Sequence, residues 1–569
     1  RRRSGRPREP AMTHPRDPIE GVVYHPAEEV ARYRELGVLT DETLGQALHD
    51  VAMRFADRTA LITPDLRLSY RELDALSDRA AAALLHLGLV PKDRVLFQLG
   101  NVTEFMFALH GAFKAGIVPV CTLPAHREQE IGFLAGFTGA RALIVQADWG
   151  QRELVAFGQK MQNAHPVIEH LIVARGPAPK GAVSLADMIE AEDASEARAT
   201  IDALDLDPFD VGIFQLSGGT TGIPKVIPRF HSEYLYNCRA WLWRSGYDET
   251  DIGFWPLPAI HNAAFIITNM PMHLCGGAVV LQQDVDPAQF LGTIERERVS
   301  CGGAVLPIIV RCIDSGLIGH YDLSSIREFI SLGESSLVAR EFGVPADHVF
   351  GMAEGLIMRT LPGDPEDVRM HGIGRPISEH DEVILVEPGT EKPVKQGEVG
   401  EMCCRGPYTI RGYFRAEEYN AKAFTSDGFY RSGDLMEAPE IDGTVYFAFA
   451  GREKDNIDRG AEKISAEEVE RMVLDHPAVR EVAVIGMPDR MFGERICAYI
   501  IPEAGAAAPD VAELGAFLEG IGLARFKWPE RIEVVDNFPV TKVGKTSKGL
   551  LRDDIAKRLA AEGKGRAVS

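Results

Sequence analysis

No stretch of this chain approaches 18 uninterrupted apolar residues, so it offers no candidate for a membrane-spanning helix. The basic start RRRSGRPREPAM has no apolar run behind it, as a signal peptide requires, and a cytoplasmic protein off the membrane is expected, with Met12 a candidate natural start. Positive charge is scarce: Lys and Arg number 61 against 83 Asp and Glu, a net charge of -22. That balance repels nucleic acid and anionic membranes, and neither is expected as a partner. The eight cysteines form no C-x-x-C pair and no Cys/His spacing suited to zinc, so reduced, mostly buried thiols are expected. There is no internal repeat and no low-complexity tract.

What is present is a chain of 569 residues, 45% hydrophobic, too long for one core and rich enough for two. LSYRELDALSDRAAAALLHLGL, from Leu68, opens with the capping-box pair Ser69 and Glu72 and carries Leu73, Leu76, Ala80 and Leu84 on one helical face before Gly88. RVLFQLG and IVPVCTLP then read as buried strands around the helix TEFMFALHGAFKAG. The alternation continues through ARALIVQA, VGIFQLS, GAVVLQQ and CGGAVLP, the pattern of layered α/β sheets. Near Gly451 the texture changes. A charged, glycine-bearing junction leads to SAEEVERMVLDHP, a helix with a second capping-box pattern at Ser465 and Glu468, and to the strands EVAVIGM and ERICAYIIP. This predicts a small α+β domain at the end of the chain.

The segment LSGGTTGIPKVIPR, Leu216 to Arg229, is locally basic in an acidic protein. Gly218, Gly219 and Gly222 let backbone amides converge on an anion, Ser217, Thr220 and Thr221 add hydroxyls, and Lys225 adds charge. A phosphate is the natural guest. A Walker loop is excluded, because Ile223 and Pro224 separate Gly222 from Lys225. Taken alone, the segment also fits an ordinary Gly/Thr turn.

The loop resembles the phosphate loop of the adenylate-forming superfamily, whose remaining motifs follow in order. GMAEG (Gly351 to Gly355), YRSGD (Tyr430 to Asp434), GREKDNIDRGAEK (Gly451 to Lys463) and PVTKVGKTSK (Pro539 to Lys548) are similar to its later segments. Within that superfamily GMAEGL, RGPYTIRGY, GERICAYIIP and LPAHREQEI most resemble stand-alone aryl-acid–AMP ligases of the 2,3-dihydroxybenzoate and salicylate type. The resemblance implies a large α/β domain of layered sheets with a β-barrel-like subdomain, over 21–453, and a small mobile α+β domain, over 454–569. Residues 1–20 are expected to be a disordered extension. It also implies activation of an aromatic carboxylic acid with ATP and Mg²⁺, as monomer or homodimer.

By the same resemblance the loop Ser217 to Lys225 holds the β- and γ-phosphates, Gly351 and Met352 border the nucleotide, and Glu354 helps hold the metal. Asp434 and Arg452 take the ribose. Lys545 is the principal catalytic residue, reaching the α-phosphate only when the small domain swings in about Lys454; Lys463 is a further catalytic candidate. His261, Asn262, Ala263, Ile267 and Gly333 border the acid. Aryl-acid ligases usually carry Tyr where this chain has Ala263 and a small polar residue where it has Ile267, so plain dihydroxybenzoate is expected to fit poorly and the substrate to be hydroxyanthranilate-like, picolinate-like or bicyclic, with salicylate as the runner-up. Gly460 and Ala461 would border the tunnel for a pantetheine thiol, carried by a separate aryl or peptidyl carrier protein or by coenzyme A. A catabolic aryl–CoA ligase is the alternative enzyme, and a nucleotide-binding homologue without catalysis the alternative outside enzymes.

Overall fold

The computed structural model describes residues 15, 17–150, 152–217, 224–283, 285–332, 335–452, 456–460, 462–503, 505–539 and 546–563. Two large sheets form its main body. In the seven-stranded sheet the order is Val183–Ser184, His170–Ala174, Ala140–Gln146, Arg94–Gln98, Val118–Val120, Val211–Ser217 and Lys225–Phe230. Only the last pairing is antiparallel. The nine-stranded sheet has a parallel centre, including Ala346–Gly351, Glu328–Ser331, Cys301–Ala304 and Ile252–Phe254, with antiparallel strands at both edges. Strands such as Ala140–Gln146 are buried nearly end to end, which is why they read as continuous apolar runs.

The helix Tyr70–His86 starts with the expected reciprocal box between Ser69 and Glu72. Leu73, Ala80 and Leu84 are buried as predicted, and so are Ala81, Ala82 and Ala83, because the helix packs on more than one side. Gly111 of the neighbouring helix Thr103–Lys114 permits the contact: a Cβ there would come within 2.8 Å of Ala80 Cβ and 2.9 Å of the Ser77 carbonyl oxygen.

An antiparallel sheet of Glu382–Val386, Gly400–Arg405, Tyr430–Glu437 and Ala448–Arg452 leans on this body. The last sheet, built from Glu462–Ser465, Asn456–Arg459, Gly493–Pro502, Val479–Asp489 and Arg531–Val534, has its own core on each face. Along Gly493–Pro502 the strand period of two sends Ile496, Ala498 and Ile500 to one core and Cys497 and Tyr499 to the other. Asp17 to Glu20, read from sequence as part of a disordered tail, is instead attached: the Ile19 amide donates to the Tyr24 hydroxyl (2.9 Å), and Ile19 packs on the core. All eight cysteines are free and seven are buried. No helix among the described residues is long and apolar enough to cross a membrane.

Candidate active site

A cavity of about 500 Å³ lies beyond the carboxyl ends of the central strands of both large sheets, reached by Cys121, Ser217, Val305, Leu332 and Gly351. Parallel α/β layers place ligands there because loops leaving several strands converge at that end. The cavity has two chemically different sides and a lid from the last sheet.

One side is polar. The segment 218–223 joins two antiparallel strands whose ends, Ser217 and Lys225, face each other in register. Ser217 Oγ is buried with no hydrogen-bond partner among the described residues, a donor held ready for a ligand oxygen. The Lys225 ammonium lies 3.4 Å from the Tyr419 ring centroid and 5.0 Å from that of Tyr413, close enough for cation–π attraction. Glu354 Oε1 accepts a hydrogen bond from the Tyr413 hydroxyl at 2.6 Å, and the Tyr413 and Tyr430 hydroxyls are 2.8 Å apart. Burial pushes both phenols well up, so both remain protonated, and the Tyr413 hydroxyl aims the carboxylate. Gly355 is required beside it: its φ is +141°, and a Cβ would fall 2.3 Å from the Tyr408 carbonyl oxygen.

Arg229 braces this side from below. It is fully buried and binds Glu233 through Nε (2.8 Å) and Nη2 (3.0 Å), while Nη1 donates to the Ala353 carbonyl (2.9 Å) and Nη2 to that of Tyr408 (3.3 Å). Asp434 is buried at the cavity wall after Gly433, whose φ of +73° turns the chain, and its amide donates to Ser432 Oγ at 3.0 Å. Gly351 and Met352 line the same wall, and Arg452 pairs in register with Asp434.

The other side is apolar. Asn101 clamps the incoming chain: its Nδ2 donates to the Leu257 carbonyl (2.8 Å) and its Oδ1 accepts from the Ala259 amide (2.7 Å). His261 then caps a short helix, its Nδ1 accepting from the Ala263 amide at 3.2 Å. The helix passes into a π turn, Phe265–Asn269, of the kind that recurs at functional sites, and this turn carries Ile267. Ala263, Ile266 and Ile267 face the cavity. Asn262 Oδ1 accepts from the Tyr234 hydroxyl at 2.7 Å, and that hydroxyl accepts from Gln215 Nε2 at 3.0 Å. The amide of Asn262, which the sequence alone leaves free to offer both a donor and an acceptor, therefore presents its Nδ2 donors to a ligand. Burial holds the His261 imidazole below its usual range, with Glu462 acting the other way and Lys463 adding to the shift.

The lid is the hairpin Asn456–Arg459 and Glu462–Ser465. Asn456, Asp458, Gly460, Glu462 and Lys463 line the cavity. Gly460 has φ +69°, its amide donates to the Phe492 carbonyl at 2.7 Å, and its ideal Cβ position is 3.3 Å from Pro307 Cγ. Pro539 and Thr546, which flank the Lys545 loop, are not on the cavity wall. Of the sequence-predicted residues, Gly218, Gly219, Thr220, Thr221, Gly222, Gly333, Lys454, Ala461, Lys545 and the Arg452 side chain lie outside the described residues. All the others are brought to this one cavity, as wall residues or along its edge. Arg229, Tyr234, Tyr413 and Tyr419 were not singled out from the sequence as site residues, and Tyr430 served only to open a motif.

The AMP-binding enzyme family matches residues 48–414 and the AMP-binding enzyme C-terminal domain matches residues 468–545. The chain belongs to that family. It is 38% identical to the 2,3-dihydroxybenzoate-AMP ligase of Bacillus subtilis (strain 168), covering 95% of this chain and 99% of the relative. To a salicylyl-CoA synthase / salicylate adenylyltransferase of a Streptomyces species it is 39% identical, covering 94% and 97%. Among solved structures, that of Mycobacterium smegmatis MbtA in its apo form superposes with a TM-score of 0.71 at 34% identity, covering 94% and 98%.

Proposed function

We propose that this enzyme activates an aromatic carboxylic acid as its acyl-adenylate and passes the acyl group to a pantetheine thiol. The observation that carries the reading is the meeting, in one cavity, of the Glu354–Tyr413–Tyr430 network, Asp434, Ser217 and Lys225 on one side with the Asn262 amide on the other. In the first step a carboxylate oxygen of the acid forms a bond to the α-phosphorus of ATP, the α–β bridging P–O bond breaks, and pyrophosphate leaves. Two anions must be brought together in line, so the site supplies charge and orientation. Lys225 and the hydroxyls of the turn take the terminal phosphates, Asp434 takes the ribose hydroxyls, and Lys545 neutralises the α-phosphate and the incoming carboxylate. The donor set fits Mg²⁺: Glu354 puts a hard oxygen ligand into the same cavity that the Ser217 hydroxyl lines, a hydroxyl without a partner among the described residues. The ion would neutralise charge on the phosphate oxygens.

In the second step the thiol sulfur bonds to the acyl carbon, the mixed anhydride opens, and AMP leaves. The hairpin that carries Gly460 faces the cavity, the arrangement expected for thiol entry, while Pro539 and Thr546 are not on its wall. A separate carrier protein and coenzyme A both remain acceptors of the right chemistry.

The acid must satisfy a donor at Asn262 and an apolar wall at Ala263 and Ile267. An ortho hydroxyl or ring nitrogen meets Asn262 Nδ2 directly. An ortho amine does not, which lowers the hydroxyanthranilate class relative to ring-nitrogen, bicyclic and salicylate-like acids. A second hydroxyl against Ile267 would lose its partner at a cost of about 1–3 kcal/mol. Carboxylate-dependent exchange of labelled pyrophosphate into ATP, run across these acids, tests the reading. Exchange with aryl acids is expected, and exchange only with aliphatic acids, or with none, would overturn it.

A further inference from the structure

The second capping-box pattern, Ser465 with Glu468, is only half realised. The Glu468 amide donates to Ser465 Oγ (3.3 Å), but the Glu468 carboxylate turns away and accepts from Lys527 Nζ at 2.7 Å. The same ammonium lies 3.1 Å from Glu130 Oε1. Glu130 belongs to the main body, at the start of the helix Glu128–Thr138, whereas Lys527 and Glu468 both belong to the part of the chain built around the last sheet. All three are buried, at 2% exposure for Glu130, 6% for Glu468 and 7% for Lys527. Lys527 and Glu468 also border the cavity, as do Phe526 and Phe492.

We propose that Lys527 is a positioning residue for thioester formation: bridging Glu468 to Glu130, its ammonium docks the small domain on the large one in the pose that opens the cavity to the thiol. This rests on the two-step reading above. When the small domain rotates away, Lys527 keeps Glu468, which travels with it, and Glu130 is left to water. Glu130 is therefore the partner particular to this pose. Around the ammonium the contact is continued by Arg127 Nη1 to Glu519 (3.2 Å) and by Gln129 Nε2 donating to the Ile521 carbonyl (3.0 Å). His126, held neutral by burial with its pKa down to about 4, stands next to Glu130 and adds no second cation. A cation shared between two buried carboxylates is a sharp switch, because removing it leaves two like charges facing each other in a poorly solvated place.

The test separates the half-reactions in the full-length enzyme. Adenylation is read as salicylate-dependent pyrophosphate exchange, and thioester formation is read with supplied salicyl-AMP and pantetheine as the acceptor. Lys527→Met is expected to slow thioester formation by about 30-fold or more while exchange stays within about twofold. Glu130→Gln keeps its helix-capping function and the Lys527–Glu468 pair, and is expected to slow only the thioester step, by about fivefold. Added to Lys527→Met, Glu130→Gln should instead raise the thioester rate, since it removes the carboxylate repulsion. That change of sign is what a merely damaged fold would not produce. Equal loss of both half-reactions in Glu130→Gln, or a further fall in the double variant, would overturn the proposal. A wild type that forms no thioester from salicyl-AMP and also shows no exchange with any aryl acid would overturn the two-step reading itself.

Discussion

The two sides of the cavity are built on opposite principles. The polar side, which we assign to the nucleotide, is a network of buried groups, with Arg229 spanning Glu233, Ala353 and Tyr408 while Tyr413, hydrogen-bonded to Tyr430, aims Glu354. The apolar side, which we assign to the acid, is a wall of Ala263, Ile266 and Ile267 beside the Asn262 amide, whose carbonyl is already engaged by Tyr234. A ligand shared by a whole family can be met by one fixed set of donors, and buried networks are intolerant of partial change. A variable ligand is met by shape, which Ala263 and Ile267 can alter without disturbing any hydrogen bond. Arg229 links the two sides, its guanidinium lying 4.3 Å from the ring centroid of Tyr234, which in turn stacks on Phe265 at 4.9 Å.

The largest effect expected on the nucleotide side comes from Lys545→Ala. Acyl-AMP formation should fall by about a thousandfold or more, while thioester formation from supplied acyl-AMP survives. Comparable loss in both half-reactions would break the assignment of that lysine to the first step only. Next, Tyr413→Phe removes the donor that aims Glu354 without opening space. It should lower kcat for exchange by about tenfold and leave KM for the aromatic acid nearly unchanged, and an equal rise in acid KM would mean that the two sides are not separable.

A smaller effect should appear in stability against pH, at a carboxyl that is not on the cavity wall. Burial raises the Asp381 carboxyl to about 8, against the opposing pull of the Tyr408 hydroxyl, which donates to it. The proton is held in the folded state and lost from the unfolded chain above about pH 4. Its stabilising contribution is therefore complete below pH 4 and disappears as pH rises through 8. Asp381→Asn, neutral throughout, should raise Tm by a few degrees at pH 9 relative to wild type and change it little at pH 4. A Tm difference independent of pH would show that the carboxyl does not titrate in that range.

Local features were legible in the sequence. The box at Ser69 and Glu72 forms as written, the apolar runs became parallel strands, and the glycine-rich segment connects two paired strands. Long-range polar pairing was not. Glu468 is drawn from its own helix cap by Lys527, 59 residues away, and Tyr413 reaches Glu354 across a similar separation. The direction of the Asn262 amide was not legible either, because Tyr234, on another helix, sets it. A signal for Tyr413 and Tyr430 was present in the segments RGY and YRSGD, but as letters of motifs. Their task depends on two phenols meeting in one buried place.

The contrast between a fixed nucleotide side and an adjustable acyl side is tested most directly by Ala263→Tyr combined with Ile267→Ser. The measurement is kcat/KM for 2,3-dihydroxybenzoate, salicylate and pyridine-2-carboxylate, with KM for ATP, in wild type and variant. The account predicts a shift of preference toward 2,3-dihydroxybenzoate of at least about tenfold, or about 1.4 kcal/mol, with KM for ATP unchanged. A wild type that already prefers 2,3-dihydroxybenzoate by that margin, or a variant whose preference stays put while KM for ATP moves, would contradict it.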